Sequence, residues 1–164
     1  MTGSMFGAVR SEGHGRTIRF ERQFEAPIDE IWAACTEPGQ LQHWFADVSG
    51  DLRVGGDAFI DFDNGEHTPL VIRECEAPRL LVADWAFGDD AMSTLRVELS
   101  ASDEGGTNMV LEHYNLPSST GVGYAAGWHA YLDRLADQLS GSEITNWSQR
   151  FDELIGEYQS TPRA

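Results

Sequence analysis

Trp128, Leu132, Leu135 and Leu139 recur at the spacing of one helix face, on a segment (residues 119–139) that follows a long run of short alternating strand patterns. A helix with one apolar stripe needs a surface to lie on, and the strands before it supply one. This order of elements points to a two-layer α+β domain in which a long helix, about 30 Å at 1.5 Å per residue, closes over an antiparallel sheet.

The strand pattern opens at residues 17–24, where Ile18, Phe20 and Phe24 share one parity and Arg19, Glu21 and Gln23 the other. Ala26-Pro27 ends it, and Pro27, Asp29 and Glu30 suit the first turn of a helix striped by Ile28, Ile31, Trp32 and Cys35. Pro38 stops that helix, and Leu41, Trp44 and Phe45 predict a second short one. The period then falls to two over residues 48–54, 58–62, 68–75, 80–87, 94–100 and 107–114, punctuated by Gly55-Gly56, Asn64-Gly65, Pro78 and Gly88-Asp89-Asp90. Asn64-Gly65 is the strongest hairpin signal among them. The expectation is a curved antiparallel sheet of six to seven strands, two short helices after the first strand, and a long C-terminal helix. Residues 1–15, rich in glycine, read as a flexible leader, 16–141 as the domain, and 142–164 as an amphipathic extension packed through Trp147, Phe151, Leu154, Ile155 and Tyr158.

A chain of 164 residues suits one domain, with about 68–70% of its unfolded surface buried. Its 27 acidic residues stand against 11 arginines and no lysine, and the resulting charge of −16 repels phosphate backbones and anionic lipid. Nucleic-acid binding is therefore not expected. No apolar run approaches the roughly 20 residues of a spanning helix, and the start of the chain lacks an export signal's charged and apolar regions, so the expected location is cytoplasmic. Cys35 and Cys75 form no CxxC and have no histidine at zinc-ligand spacing, so they read as two buried thiols, with no metal and no cofactor expected. Ser-His-Asp groupings, phosphate-cradling glycine loops and HExxH are all missing, and Gly105 to Thr107 is a hairpin turn.

A bent sheet wrapped round a helix leaves a concavity that side chains or a guest must fill. Trp32, Trp44, Trp85 and Trp128 all lie on apolar faces, and such aromatics often line sites for apolar guests. His113 shares parity with Thr107, Met109 and Leu111, which turns its imidazole toward the concave side as a core-edge group first and an orienting or acid–base group second. Arg22 also falls on the inward parity, where a structural ion pair with Glu74 or Asp84 is the first expectation and a ligand-carboxylate anchor the second. His43 reads as a surface residue, and His129 with Asp133 as an exposed pair on the helix's polar side. Gly121, Gly123 and Gly127 either let that helix approach the sheet closely or loosen its first half to admit a ligand.

The pieces FEAPIDEIWAACTEPGQLQHW, DLRVGGDAF, ECEAPRLLVADW, GGTNMVLEH and GWHAYLDRLADQL, in that order from Phe24 to Leu139, resemble the activator of heat-shock-protein-90 ATPase homologue family of the START-like, helix-grip superfamily. The resemblance implies a helix-grip fold with a cavity between sheet and C-terminal helix. It implies little chemistry, since members include small-molecule binders, co-chaperone relatives and distant cyclases, with no shared catalytic signature. The leading expectation is non-enzymatic binding of a small hydrophobic or amphipathic molecule by Trp44, Trp85, Met109, Leu111, His113, Trp128, Tyr131 and Leu132. The alternatives are a cyclase- or hydrolase-type enzyme using His113, and an interaction module whose partner is a chaperone or a second copy of the chain.

Overall fold

Side chains two residues apart share one face of a strand, and in this protein that rule lines up whole rows across a sheet. A computed structural model of the chain describes residues 6–12, 15–61, 67–85, 92–117 and 121–160. Its strands are β1 (Ala8–Glu12), β2 (Gly15–Phe24), β3 (Asp47–Gly50), β4 (Ala58–Asp61), β5 (His67–Glu76), β6 (Leu80–Trp85), β7 (Ser93–Ala101) and β8 (Thr107–Pro117). Every pairing is antiparallel, in the order β1-β2-β8-β7-β6-β5-β4-β3. One inward row runs Ile18, His113, Leu95, Ala83 and Ile72, and a second runs Phe20, Leu111, Val97 and Leu81. The outer face carries Arg19, Glu112 and Arg96, with Arg19 and Glu112 paired at 3.2 Å.

Consecutive strands β2 and β3 stand six places apart in this order, so the chain between them must cross the sheet. It does so as α1 (Ile28–Thr36) and α2 (Pro38–Trp44), which contribute Ile31, Ala34, Leu41 and Trp44 to the core. Then α3 (Gly121–Ser140) lays Trp128, Leu132 and Leu135 on the sheet, as its stripe predicts. The fourth helix, α4 (Trp147–Ser160), packs on α3 through Leu154 and Tyr158. This is the expected α+β helix-grip architecture. No helix of the described residues is long and apolar enough to cross a membrane.

Four details differ from the sequence reading. The sheet has eight strands rather than six to seven, because residues 8–12 of the expected leader pair with β2 from Ala8↔Arg19 to Glu12↔Gly15. A five-residue strand with glycines on both sides shows too little alternation to be read alone. The strand expected over 48–54 ends at Gly50, whose φ of 90° suits glycine and where a Cβ would meet the Asp57 carbonyl oxygen at 2.2 Å. Cys75 is exposed rather than buried, since β5 continues past the covered part of the sheet, and Cys35 is partly buried. His129 is only 2% exposed, because α4 covers the side of α3 that a two-layer fold leaves open to solvent. The turns expected at Asn64-Gly65 and Gly88-Asp89-Asp90 lie outside the described residues, although β4 and β5 pair as the first requires.

Candidate functional site

Between the inner sheet face, the end of α2 and α3 lies a hollow of about 70 Å³. At about 10–15 Å³ per water, it has room for roughly five water-sized spheres. Trp44 and Phe45 wall it at the end of α2, Trp128 and Leu132 on α3, and Trp85, Met109 and Leu111 on the sheet. Phe45 stacks on Trp128 with 5.5 Å between centroids and 7° between planes, and Trp85 leans on both at 6.1 and 5.9 Å. Its wall bears no charged side chain among the described residues; Cys35 and Thr36 are the polar members. Burial pushes the Cys35 thiol up to about 12, so it is neutral, and the Thr36 hydroxyl donates to the Trp32 carbonyl at 2.7 Å.

Of the eight side chains expected at a site, six (Trp44, Trp85, Met109, Leu111, Trp128 and Leu132) come together on this wall. His113 and Tyr131 stand behind it. Tyr131 packs edge-on against Phe45 and Trp128 and tilts over Trp147, which places it on the α4 side of the aromatic group. His113 is fully buried, with Trp85 and Tyr124 edge-on to its ring, each at 5.1 Å.

The hydrogen bonds of His113 define its protonation. An indole nitrogen only donates, so the 3.0 Å bond from Trp128 Nε1 makes His113 Nδ1 an acceptor without a proton. The proton of the neutral ring is then on Nε2, 2.7 Å from Ser93 Oγ, and Ser93 passes its own proton to the Trp85 carbonyl at 3.0 Å. Every group in this chain is satisfied, and burial holds the imidazole down to about 3, so it stays neutral near pH 7. Ser93 could not be recognised from sequence as its partner, because one serine at a strand start carries no periodic signal.

Trp85 differs from its neighbours. Trp44 Nε1 donates to the Ala34 carbonyl at 2.9 Å, Trp128 Nε1 to His113, and Trp147 Nε1 to the Gly127 carbonyl at 3.2 Å. Trp85 is 4% exposed and its Nε1 has no hydrogen-bond partner among the described residues. A buried donor left unpaired costs about 1–3 kcal/mol.

Arg134 fixes the end of α2, which carries Trp44 of the wall, to α3. Its guanidinium donates to the Trp44 carbonyl at 2.9 Å, the His43 carbonyl at 3.2 Å and the Thr145 carbonyl at 2.7 Å, tying α3 to the last turn of α2 and to the loop before α4. A cation at a helix C-terminus also meets the negative end of its dipole. The sequence offers no sign of this, since Arg134 lies on the polar side of the stripe. His43 itself is exposed, as expected.

On the other side of α3 is a polar knot. Arg22 faces inward as its parity predicts, but its partner is neither Glu74 nor Asp84. Asp84 alternates with the inward Ala83 and Trp85, so it faces out, where it accepts from Thr94 and Arg73; Glu74 is exposed. Arg22 instead lies 5.1 Å over the Phe20 ring and donates to the Glu21 carbonyl at 3.3 Å, leaving Nη2 without a partner among the described residues. Burial lowers its pKa, against which the Asp133 charge acts. Asp133 accepts from Arg150 Nε at 2.8 Å and stands 3.9 Å from His129 Nε2. His129 Nδ1 lies 2.8 Å from Tyr158 Oη, which takes the Gly7 N–H at 2.7 Å. Burial brings His129 down to about 4 despite Asp133, with Arg22 and Arg150 adding to the fall. Among the described residues no group of three or more His, Cys, Asp or Glu side chains is placed to hold a metal ion.

Residues 25–140 match the family model described as activator of Hsp90 ATPase homolog 1-like protein. No curated protein matches the chain. Among solved structures, it is similar to CalU16 from Micromonospora echinospora, at 28% identity over 94% of each chain with a TM-score of 0.78. It is also similar to DynU16, from the dynemicin biosynthetic locus, at 25% identity over 76% of this chain and 47% of that one, TM-score 0.70. The protein encoded by BPP1335 from Bordetella parapertussis shares the fold, at 22% identity over 100% and 97% of the two chains, TM-score 0.74.

Proposed function

This chain belongs to the activator of Hsp90 ATPase homolog 1-like family, within the START-like, helix-grip superfamily, and from that premise we propose that it binds a small apolar or amphipathic molecule in the hollow between sheet and α3. The observation that carries this reading is the hollow itself, an apolar void of about 70 Å³ where the fold brings three tryptophans and Phe45 together. Protein interiors are otherwise packed to the density of organic crystals, so a void of this size forfeits contact energy that a guest restores. Its affinity comes from apolar burial, at about 25 cal/mol per Å². DynU16 supports the reading, as its locus is one of small-molecule biosynthesis.

The closed form suits a guest no larger than a small ring, and a longer molecule enters by displacing Phe45 or Leu132 or by loosening the first half of α3. Within that half, a Cβ at Gly123 would meet nothing within 4 Å, whereas one at Gly127 would touch the Trp147 ring at 3.5 Å. Both positions leave room for a side chain, so close packing accounts only for Gly121, where a Cβ would meet the Arg16 side chain at 3.0 Å, and leaves Gly123 and Gly127 to chain freedom. Acid–base chemistry gains no support from His113, whose two nitrogens are engaged behind the wall. A protein-docking face gains none from Val54, Val71 and Met92, exposed apolar side chains scattered on separate segments.

Native mass spectrometry of the protein purified from its own host is the test. A retained small organic molecule, lost when Ala83 on the wall is replaced by Met to fill the void, is the expected result. An empty protein, together with hydrogen exchange at residues 121–128 as slow as at 132–139 whether or not apolar compounds are added, sinks the reading.

A further inference from the structure

Resting on that reading of the hollow, we infer that its guest is a neutral, largely apolar molecule that presents one hydrogen-bond-accepting oxygen to the indole N–H of Trp85. A buried indole N–H normally finds a partner, and this protein obeys the rule at Trp44, Trp128 and Trp147. It departs from it at Trp85, the one of these four whose Nε1 is buried without an acceptor among the described residues, and Trp85 is on the cavity wall.

A neighbouring side chain with acceptor atoms, His113, cannot repair this. His113 lies edge-on to the Trp85 ring at 5.1 Å, but its Nδ1 already accepts from Trp128, and its Nε2 faces the Ser93 hydroxyl. That hydroxyl is in turn directed at the Trp85 carbonyl. The relay is closed on itself and leaves the indole nitrogen outside it. The nitrogen itself is sealed in the guest-free form, and an acceptor on a guest that tips the Trp85 ring toward the hollow completes the set.

The charge of the guest follows from the rest of the wall. Thr36 and the neutral Cys35 thiol are its polar members, and no arginine or histidine nitrogen reaches it among the described residues. A carboxylate or phosphate placed there has no cation to meet, and burying an ion without a partner is far costlier than burying a carbonyl. The protein's charge of −16 opposes anion entry as well. A ketone, aldehyde, ether or lactone oxygen on an apolar ring fits, whereas a free fatty acid or a phosphate ester does not.

Acetophenone, cumene and benzoate separate the alternatives, being close in size and differing in the acceptor and in charge. In ¹⁵N-resolved NMR of the full chain, acetophenone is expected to move the Trp85 Nε1–H signal downfield and to bind about five- to tenfold tighter than cumene, the worth of one net hydrogen bond. Trp85→Phe is expected to erase that preference, the ratio of acetophenone to cumene affinity falling to about one, whatever the smaller ring does to cumene binding itself. The shift in the unsubstituted protein decides the matter if the variant does not fold. Equal affinities with an unmoved Trp85 signal overturn the acceptor and leave the hollow as an apolar site. Benzoate binding as well as acetophenone overturns neutrality. A long-lived water contact at Trp85 Nε1–H that persists at saturating acetophenone also overturns the inference. No perturbation of the wall methyls of Leu111 and Leu132 by acetophenone or cumene removes the binding reading and this inference with it.

Discussion

Two buried regions flank α3, and they handle polar groups in opposite ways. On one side the hollow is backed by a single neutral relay, Trp128–His113–Ser93–Trp85, whose members are all satisfied among the described residues except the Trp85 indole N–H. On the other, the knot of Arg22, His129, Asp133, Arg150 and Tyr158 gathers formal charges under α4. Among the described residues each region contains one unpaired nitrogen. In the knot, Arg22 Nη2 has the Asp133 charge and the Phe20 face as partial compensation, so its deficit is internal to the fold. In the hollow, the deficit belongs to a ring that forms part of the cavity wall. A buried orphan therefore points to a ligand only where space comes with it.

The comparison is broken most severely by Trp128→Ala. This change deletes a buried indole and the donor to His113, and should cost about 3–5 kcal/mol in chemical denaturation. It should also raise the His113 pKa above about 3 as the ring becomes hydrated. Should the loss stay under about 1 kcal/mol, the aromatic wall is not the packed structure described above.

Acid tests both regions at once. His113 is held down to about 3 and His129 to about 4, below the ordinary 6.5 of the unfolded chain. Between those values the unfolded chain takes up protons that the folded protein refuses. Stability from these residues is thus complete above pH 6.5 and falls as the pH drops, by about 1.4 kcal/mol per pH unit for each histidine. Denaturation curves for the unsubstituted protein and for His129→Asn should converge as pH falls from about 6 to 4. Parallel curves would place His129 outside the buried set.

Asp133→Ala sharpens the difference between the regions. It takes from the buried Arg22 the carboxylate charge that compensates it and leaves Arg150 with Glu153 alone, at a cost of about 2–3 kcal/mol, while the hollow's relay is untouched. His129, losing the one group that raises its pKa, should titrate below about 4, which imidazole NMR can follow. The smallest effect is expected from Tyr158→Phe, about 1 kcal/mol. It removes the acceptor for Gly7 N–H, so faster amide exchange should appear at Gly7 and along β1 but not in β7.

Legibility in the sequence followed periodicity. The stripe of α3 and the alternation of β7 are read directly, because 3.6 and 2 are properties of the backbone and Leu95, Val97 and Leu99 had to share a face. Six of the eight expected wall residues line the hollow, Trp85, Met109 and Leu111 by strand parity and Trp44, Trp128 and Leu132 by helical spacing. Parity says nothing about depth, so His113 and Tyr131 were placed on the wall when they stand behind it. Phe45 was recognised as apolar but not as the ring stacked on Trp128, a contact between residues 83 positions apart.

What the amino-acid order determined by itself was the order of elements, the inward face of each strand, the family and the negative field, all set by local spacing, motif words and charge count. Tertiary structure alone decided that β1 completes the sheet, that α4 buries His129, that Arg22 answers to Asp133 rather than Asp84, and that the Trp85 indole has no acceptor among the described residues. Each of these depends on which distant segments meet, and a hydrogen bond or a desolvated charge exists only once they do.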